Sequence, residues 1–215
     1  MPVDITLSDH VATIVLNRPE AMNSADLEMR EELYRVWDRL RTDEDIHVAI
    51  ITGAGDKAFC TGSDLKKTMP PKESFAELSF GRNRPGTMLY GFGCDKPIIC
   101  AINGYAVGGG MELALACDIC IASDNARLGL TEARIGSIPG SGGLQRLPRT
   151  VGKSDAMRLL LTGDMITAHE ALRMGILSEV VPREELMPAA QRLARRIADN
   201  APLAVRAIKR QVVQG

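Results

Sequence analysis

Apolar and polar positions alternate at the start of the chain. Residues 4–7 and 11–16 run at period two on either side of Ser8-Asp9, which predicts a β-hairpin. Met29, Leu33, Val36, Trp37 and Leu40 then follow at spacings of one helical face. Asn23 or Ser24 is placed to cap that helix, with Asp26 and Glu28 in its first turn, where the positive end of the helix favours carboxylates. Apolar runs at 47–52, 98–102, 117–122 and 127–130 predict further strands, with a short helix at 64–67 and another from Gly109 between them. Strands and helices interleave, so the expected class is α/β. Between 68 and 95, Pro70, Pro71, Gly81, Pro85, Gly86, Gly91 and Gly93 predict an irregular excursion suited to lining a pocket. Beyond Gly140 the pattern is mainly helical. It shows a capping box at Thr167-x-x-Glu170, a short strand at 176–181, and two terminal helices parted by Asn200-Ala201-Pro202. Residues 1–150 are therefore expected to hold the core and 151–215 a helical C-terminal region.

Composition narrows the function. With 45% apolar and 25% charged residues in a chain of 215, a folded globule is expected. The 26 basic and 27 acidic side chains leave a net charge of −1, so no whole-surface field favours nucleic acid or an anionic membrane, and neither is expected as a partner. No uncharged apolar stretch approaches the roughly 18 residues of a spanning helix. The opening MPVDITLSDH has neither a signal nor a transit pattern, so a soluble, cytoplasmic protein is expected. Cys60, Cys94, Cys100, Cys117 and Cys120 read as reduced thiols, three of them in apolar surroundings. Cys117 and Cys120 form one C-x-x-C, but neither a second pair nor a suitably spaced His follows, so no metal site is expected. Seven basic against three acidic residues in 183–215 read as a solvated helical face, with contact to a phosphorylated ligand or RNA as the alternative.

Three familiar signatures fail in detail. Gly53-x-Gly55-x-x-Ala58 follows a strand but does not open a long helix, so it is not a dinucleotide site. Gly152-Lys153-Ser154 lacks the first glycine of a phosphate loop, and Gly140-Ser141-Gly142 lacks the frame of a nucleophilic serine. More informative is Gly108-Gly109-Gly110-Met111-Glu112, between an apolar strand and an apolar helix. Consecutive glycines there cost backbone entropy and make sense where backbone must approach a ligand closely. Free N–H groups at that helix start could bind an anion or a developing oxyanion. Lys57-Ala-Phe-Cys-Thr61-Gly62-Ser63-Asp64-Leu65-Lys66 is a second strand, glycine turn and short helix, with an outward N–H at Ser63. In Thr131-Glu132 through Gly140 to Gly143, a second carboxylate follows Glu112 by twenty residues, and a strand pair returning to its starting level would set the two acids together.

In order and spacing these segments closely resemble the crotonase, or enoyl-CoA hydratase/isomerase, superfamily. The likeness also takes in Asn17-Arg18-Pro19, Met22-Asn23, Ile50-Ile51-Thr52-Gly53, Lys96-Pro97-Ile98, Asn103-Gly104, Cys117-Asp118 and Leu161-Thr162-Gly163, and it runs essentially from Asp4 to Val213. The resemblance implies a crotonase-like spiral of ββα turns with a helical C-terminal region, assembled as a homotrimer or a pair of trimers. Members of that superfamily usually run on through further helices that close the pocket and join subunits, beyond the point that corresponds to Gly215 here.

The same resemblance assigns roles. The N–H groups of Ser63 and Gly109 form the oxyanion hole, Glu112 and Glu132 are the catalytic acids of a hydratase, and Thr61, Gly62, Asp64, Leu65, Lys66 and Gly140 touch substrate. Lys57, Lys66 and Lys67 are candidate neighbours of the coenzyme A phosphates. Thr61 and Ser63 depart from the alanines more usual in the family; they leave a backbone-donated hole intact while adding bulk beside the thioester. The implied reaction is reversible hydration of a trans-2-enoyl-CoA to a 3-hydroxyacyl-CoA, as in fatty-acid β-oxidation. It takes no cofactor, because coenzyme A is part of the substrate. Two close carboxylates share protons, so one of them is expected to be protonated at neutral pH. The alternatives are an enoyl-CoA isomerase, a dehydratase for a specialised acyl group, and a non-catalytic relative that binds CoA thioesters or RNA.

Overall fold

In the computed structural model, which describes residues 1–68 and 87–214, strand β1 (Val3–Ser8) pairs antiparallel with β2 (Val11–Leu16). The two-residue turn between them holds Asp9 at φ 49° and His10 at φ 64°. Positive φ at both central residues gives the hairpin its tight, right-twisted turn. Helix α1 (Leu27–Thr42) crosses back and buries Met29, Leu33, Val36, Trp37 and Leu40, the stripe that the spacing predicts.

Three turns of a spiral follow, each placing one strand in each of two sheets. β3 (Val48–Gly53) leads to β4 (Ala58–Cys60) and the short α2 (Leu65–Thr68). β5 (Ile98–Ile102) leads to β6 (Tyr105–Val107) and α3 (Gly109–Ala116). β7 (Ile119–Ser123) leads to β8 (Arg127–Gly129), then a 3₁₀ turn (Glu132–Ile135), α4 (Gly143–Val151) and α5 (Lys153–Thr162). β9 (Ile166–Thr167), α6 (Ala168–Arg173), β10 (Glu179–Val181), α7 (Leu186–Ala198) and α8 (Pro202–Gln214) complete the described chain. The larger sheet runs β1-β2-β3-β5-β7-β10 and the smaller β4-β6-β8-β9. The class is the expected α/β, and the architecture is the crotonase-type ββα spiral.

The central strands are buried on both faces, so β3 reads as a continuous apolar run. Ala49 and Ile51 face the main core with α1, whereas Val48 and Ile50 pack in a second cluster with Leu186, Ala189, Ala190 and Ala194 of α7. The capping box at Thr167 and Glu170 forms as its spacing predicts, with both reciprocal bonds made. All five cysteines are free thiols, and burial pushes that of Cys60 up to about 12. Among the described residues no helix is long and apolar enough to cross a membrane.

Two expectations need correction. The cap of α1 is Asp26, whose Oδ1 accepts the Met29 N–H at 3.1 Å, and not Asn23 or Ser24. Asn23 is fully buried and donates instead to the carbonyls of Ala54 and Ala58 at 2.9 and 2.8 Å. A buried amide must find partners, and those carbonyls outcompete the helix end. The strand expected at 117–122 begins only at Ile119, because Cys117 closes α3 and Asp118 turns its carboxylate to the Ile98 N–H at 2.7 Å. Most of the irregular excursion expected between 68 and 95 lies outside the described residues. At its end, Met88 and Phe92 are buried in the main core.

Candidate active site

Two glycine turns meet where β4 and β6 each give way to a helix. The loop after β4 runs beside Ala25, whose N–H donates to the Gly62 carbonyl at 2.7 Å and whose carbonyl accepts the Asp64 N–H at 3.0 Å. In such a parallel bridge the residue between those two bonds directs its own N–H to the opposite side, so that of Ser63 faces away from Ala25. Gly62 has φ +85°, and a Cβ there would lie 2.8 Å from the Gly109 nitrogen. The two turns are therefore in backbone contact. Gly109 is the first residue of α3, where an N–H has no intrahelical acceptor. Gly110 packs so closely on β4 that a Cβ would stand 2.0 Å from the Cys60 carbonyl oxygen. This contact fixes the start of α3 against the first turn. Met88 supplies an apolar wall, its Cε 3.0 Å from where a Gly109 Cβ would be, and is held by the Trp37 indole N–H, which donates to its carbonyl at 2.8 Å.

The carboxylates differ in their surroundings. Glu112, in the first turn of α3, is 3% exposed, and its Oε1 accepts the N–H groups of Ser141 and Gly143 at 2.6 and 2.9 Å. Burial raises its pKa, opposed by those donors and by the Arg146 charge. Glu132 opens the 3₁₀ turn after β8 and is 9% exposed. Its Oε1 lies 3.5 Å from the Cβ position of Gly108, and its Oε2 has no hydrogen-bond partner among the described residues. Burial pushes Glu132 up to about 7, opposed by its own backbone N–H and reinforced by the charge of Glu112. The two acids thus stand near enough to sense each other, one held by two N–H donors from a neighbouring turn and the other with its Oε2 unpartnered among the described residues.

This arrangement carries a stability consequence. A carboxyl that stays protonated in the folded chain while it ionises in the unfolded chain weakens the fold as pH rises from its ordinary value of 4.5 to about 7. Glu132→Gln removes that penalty. Its advantage over the parent should be absent near pH 4, grow through this window and level off at about 3 kcal/mol above it. Urea unfolding midpoints at both ends of the window measure it; an unchanging difference would show that Glu132 ionises in the fold without cost.

The other residues expected at the site divide. Asp64 accepts from Arg18 Nη2 at 3.1 Å, and the same nitrogen lies 3.2 Å from Asp26. Lys67 is bound to Asp26 at 2.7 Å and so belongs to this ion network rather than standing free for a phosphate. Thr61 turns its hydroxyl to the Met22 carbonyl at 3.3 Å. Leu65, Lys66, Lys57 and Gly140 are exposed. Sequence reasoning missed Arg30, a buried cation that donates to Ser63 Oγ at 3.0 Å, and Arg146, which donates to the Ser141 carbonyl at 2.9 Å. The signal for Arg30 was present: it stands three residues before Leu33 and seven before Trp37, on the buried side of α1.

A ββα spiral that sets two helix-start and turn donors beside two buried carboxylates defines a crotonase-fold protein with the groups for acid–base work on a polarised carbonyl. The chain matches the family model for enoyl-CoA hydratase/isomerase over residues 6–215, and it belongs to that family. It is 52% identical over 215 residues to (E)-benzylidenesuccinyl-CoA hydratase of Thauera aromatica, covering 100% of this chain and 83% of that one. It is 46% identical over 205 residues to carnitinyl-CoA dehydratase of Proteus mirabilis, covering 95% and 77%. The crystal structure of enoyl-CoA hydratase from Bacillus anthracis superposes with a TM-score of 0.89 at 39% identity, covering 99% of this chain and 83% of that one. The family acts on CoA thioesters, and with relatives named as hydratases and dehydratases the chain is a lyase-type member of it.

Proposed function

We propose that the protein adds water reversibly, in a syn sense, across the C2=C3 bond of a trans-2-enoyl-CoA, giving a 3-hydroxyacyl-CoA. The observation that carries this reading is the unequal pair of buried acids, Glu112 held by two backbone N–H groups and Glu132 with an Oε2 that has no partner among the described residues, beside the Ser63 and Gly109 turns. Hydration needs a base to deprotonate water as it attacks C3, an acid to protonate C2, and donors for the charge that develops on the thioester oxygen. Glu112, the better stabilised as an anion, takes the water proton. Glu132, protonated up to about pH 7, delivers a proton to C2. Ser63 and Gly109 donate to the oxygen. The chemistry calls for no redox group or metal, since coenzyme A travels with the substrate.

The acyl group has a second reading. Arg30 brings a buried guanidinium against Ser63 itself, which favours an acyl chain bearing a carboxylate near the thioester over a plain alkyl chain. The Thauera relative, named for a benzylidenesuccinyl thioester, supports that preference. Loss of enoyl-thioester ultraviolet absorbance, with product analysis, should show hydration of both crotonyl-CoA and a carboxylated 2-enoyl-CoA, the latter with the higher kcat/KM by about tenfold or more. Double-bond migration without hydration would replace this reading with that of an isomerase, and binding without turnover with that of a non-catalytic CoA-thioester protein. Preference for the plain chain would remove the role of Arg30.

A further inference from the structure

Glu112 is held by a turn, and that turn is held by Arg146. The segment ahead of α4 passes through Gly142 at φ +102°, and the space a Cβ would take there is filled by the Arg146 guanidinium, 2.1 Å to Nη1 and 3.0 Å to Cζ. From this position Nη1 donates to the Ser141 carbonyl at 2.9 Å. The N–H groups of Ser141 and Gly143, which flank the same glycine, both point at Glu112 Oε1. The guanidinium therefore curls back over the first turn of its own helix and closes the loop whose other side binds the carboxylate. An ordinary surface arginine on α4 would extend into water. This one is half-buried against a glycine whose missing side chain makes room for it.

We propose that Arg146 is a positioning residue for the proton the two acids share: clamped to the Ser141 turn, it holds the two N–H groups on Glu112 and adds its own charge to them, which keeps Glu112 ionised and leaves the proton on Glu132. The inference rests on the hydratase reading, in which Glu112 is the base and Glu132 the acid. Among the described residues, the charged groups facing Glu112 are Glu132, from the 3₁₀ turn, and Arg146, from α4. Arg134, on the same turn as Glu132, is turned to Asp164. Cys60, on the strand that backs α3, is a neutral thiol at working pH. The Ser141 and Gly143 N–H groups oppose the burial of Glu112 first and the Arg146 charge adds to them, so losing the cation and slackening the turn it clamps would raise Glu112 and divide the proton more evenly between the two acids.

The test compares the parent with Arg146→Gln, which keeps donors for the Ser141 carbonyl and loses the charge, and Arg146→Lys, which keeps the charge and loses the planar fork. Removing a positive charge raises the pKa of a nearby carboxyl. A base that must be ionised then fails at higher pH as acid is added, so the low-pH limb of the kcat profile should move up in the Gln variant by about one unit. KM should change little. The Lys variant should keep the parental limb even where its maximal rate is lower. A limb that stays in place in Gln while rate or melting temperature falls would overturn the proposal and leave Arg146 a structural clamp. If the Gln variant does not fold, a displaced limb in the Lys variant overturns it equally, and a retained limb supports it. A ¹³C carboxyl titration of Glu112 in parent and variants reads the same shift without turnover. A protein that fails to hydrate crotonyl-CoA while Glu112 still titrates higher in the Gln variant would sink the hydratase reading and leave the electrostatic role of Arg146 standing; no change in that titration sinks the latter.

Discussion

Glu112→Gln and Glu132→Gln should each lower kcat for enoyl-CoA hydration by about 10²–10⁴, the range for loss of a general acid or base. The two substitutions reach that loss from opposite directions. An amide at 112 still accepts the Ser141 and Gly143 N–H groups, so the turn is kept while the proton acceptor is lost. An amide at 132 cannot give up a proton to C2, yet it relieves the burial of a carboxyl whose Oε2 lacks a donor among the described residues. Glu132→Gln is therefore expected to be the more stable and the less active protein at once. The double variant should fall well short of the product of the single losses, because the acids act on one water as a unit. Initial rates with crotonyl-CoA, alongside equilibrium binding of a saturated acyl-CoA, separate this from lost affinity. Near-parental rates in both single variants would end the hydratase assignment.

Gly109→Pro should lower kcat by about 10²–10³ through loss of one oxyanion donor. The position tolerates proline as far as the helix is concerned, since Gly109 is the first residue of α3 and its N–H is outside the helix ladder. Crowding is a separate effect, because any Cβ there meets Met88 Cε at 3.0 Å and the Gly62 Cα at 3.2 Å. Gly109→Ala carries the same crowding and keeps the N–H, so the ratio of the two variants isolates the donor. Acyl-CoA affinity should suffer far less than rate, since the bond tightens as negative charge builds on the thioester oxygen. A folded Pro variant, checked by circular dichroism, that turns over as fast as the Ala variant would return the triple glycine to a packing role.

The site was partly legible before any coordinates. Gly109 and Glu112 sit in one short motif, and an acid three residues into a glycine-started helix is a local pattern. Glu132 is twenty residues away, and its partnership with Glu112 depends on β7 and β8 returning the chain to the level at which α3 began. Arg146 looks in sequence like an ordinary helix-surface cation, and Arg30, though its spacing sets it on the buried side of α1, gives no hint there of what it meets. What makes them otherwise is Ser63, thirty-three residues from Arg30, and the empty Cβ position of Gly142. Lys67 shows the reverse, a candidate phosphate neighbour that the fold commits to Asp26.

By itself the sequence determined the hairpin, the buried stripe of α1, the strands at β3 and β5 and the α/β alternation, because each is a period of two or 3.6 written in consecutive residues. Tertiary structure alone decided the three residues of β6 and the two of β9, which are strands only because β4 and β8 stand ready to pair with them. It also decided the cap of α1, which fell to Asp26, expected inside the first turn, while the Ala54 and Ala58 carbonyls claimed Asn23. Most of all it decided the unlike surroundings of the two acids. A carboxyl's readiness to hold a proton depends on how much water it has lost and which donors and charges face it. For Glu112 these come from a turn about thirty residues further along the chain, so no reading of its neighbours in sequence contains them.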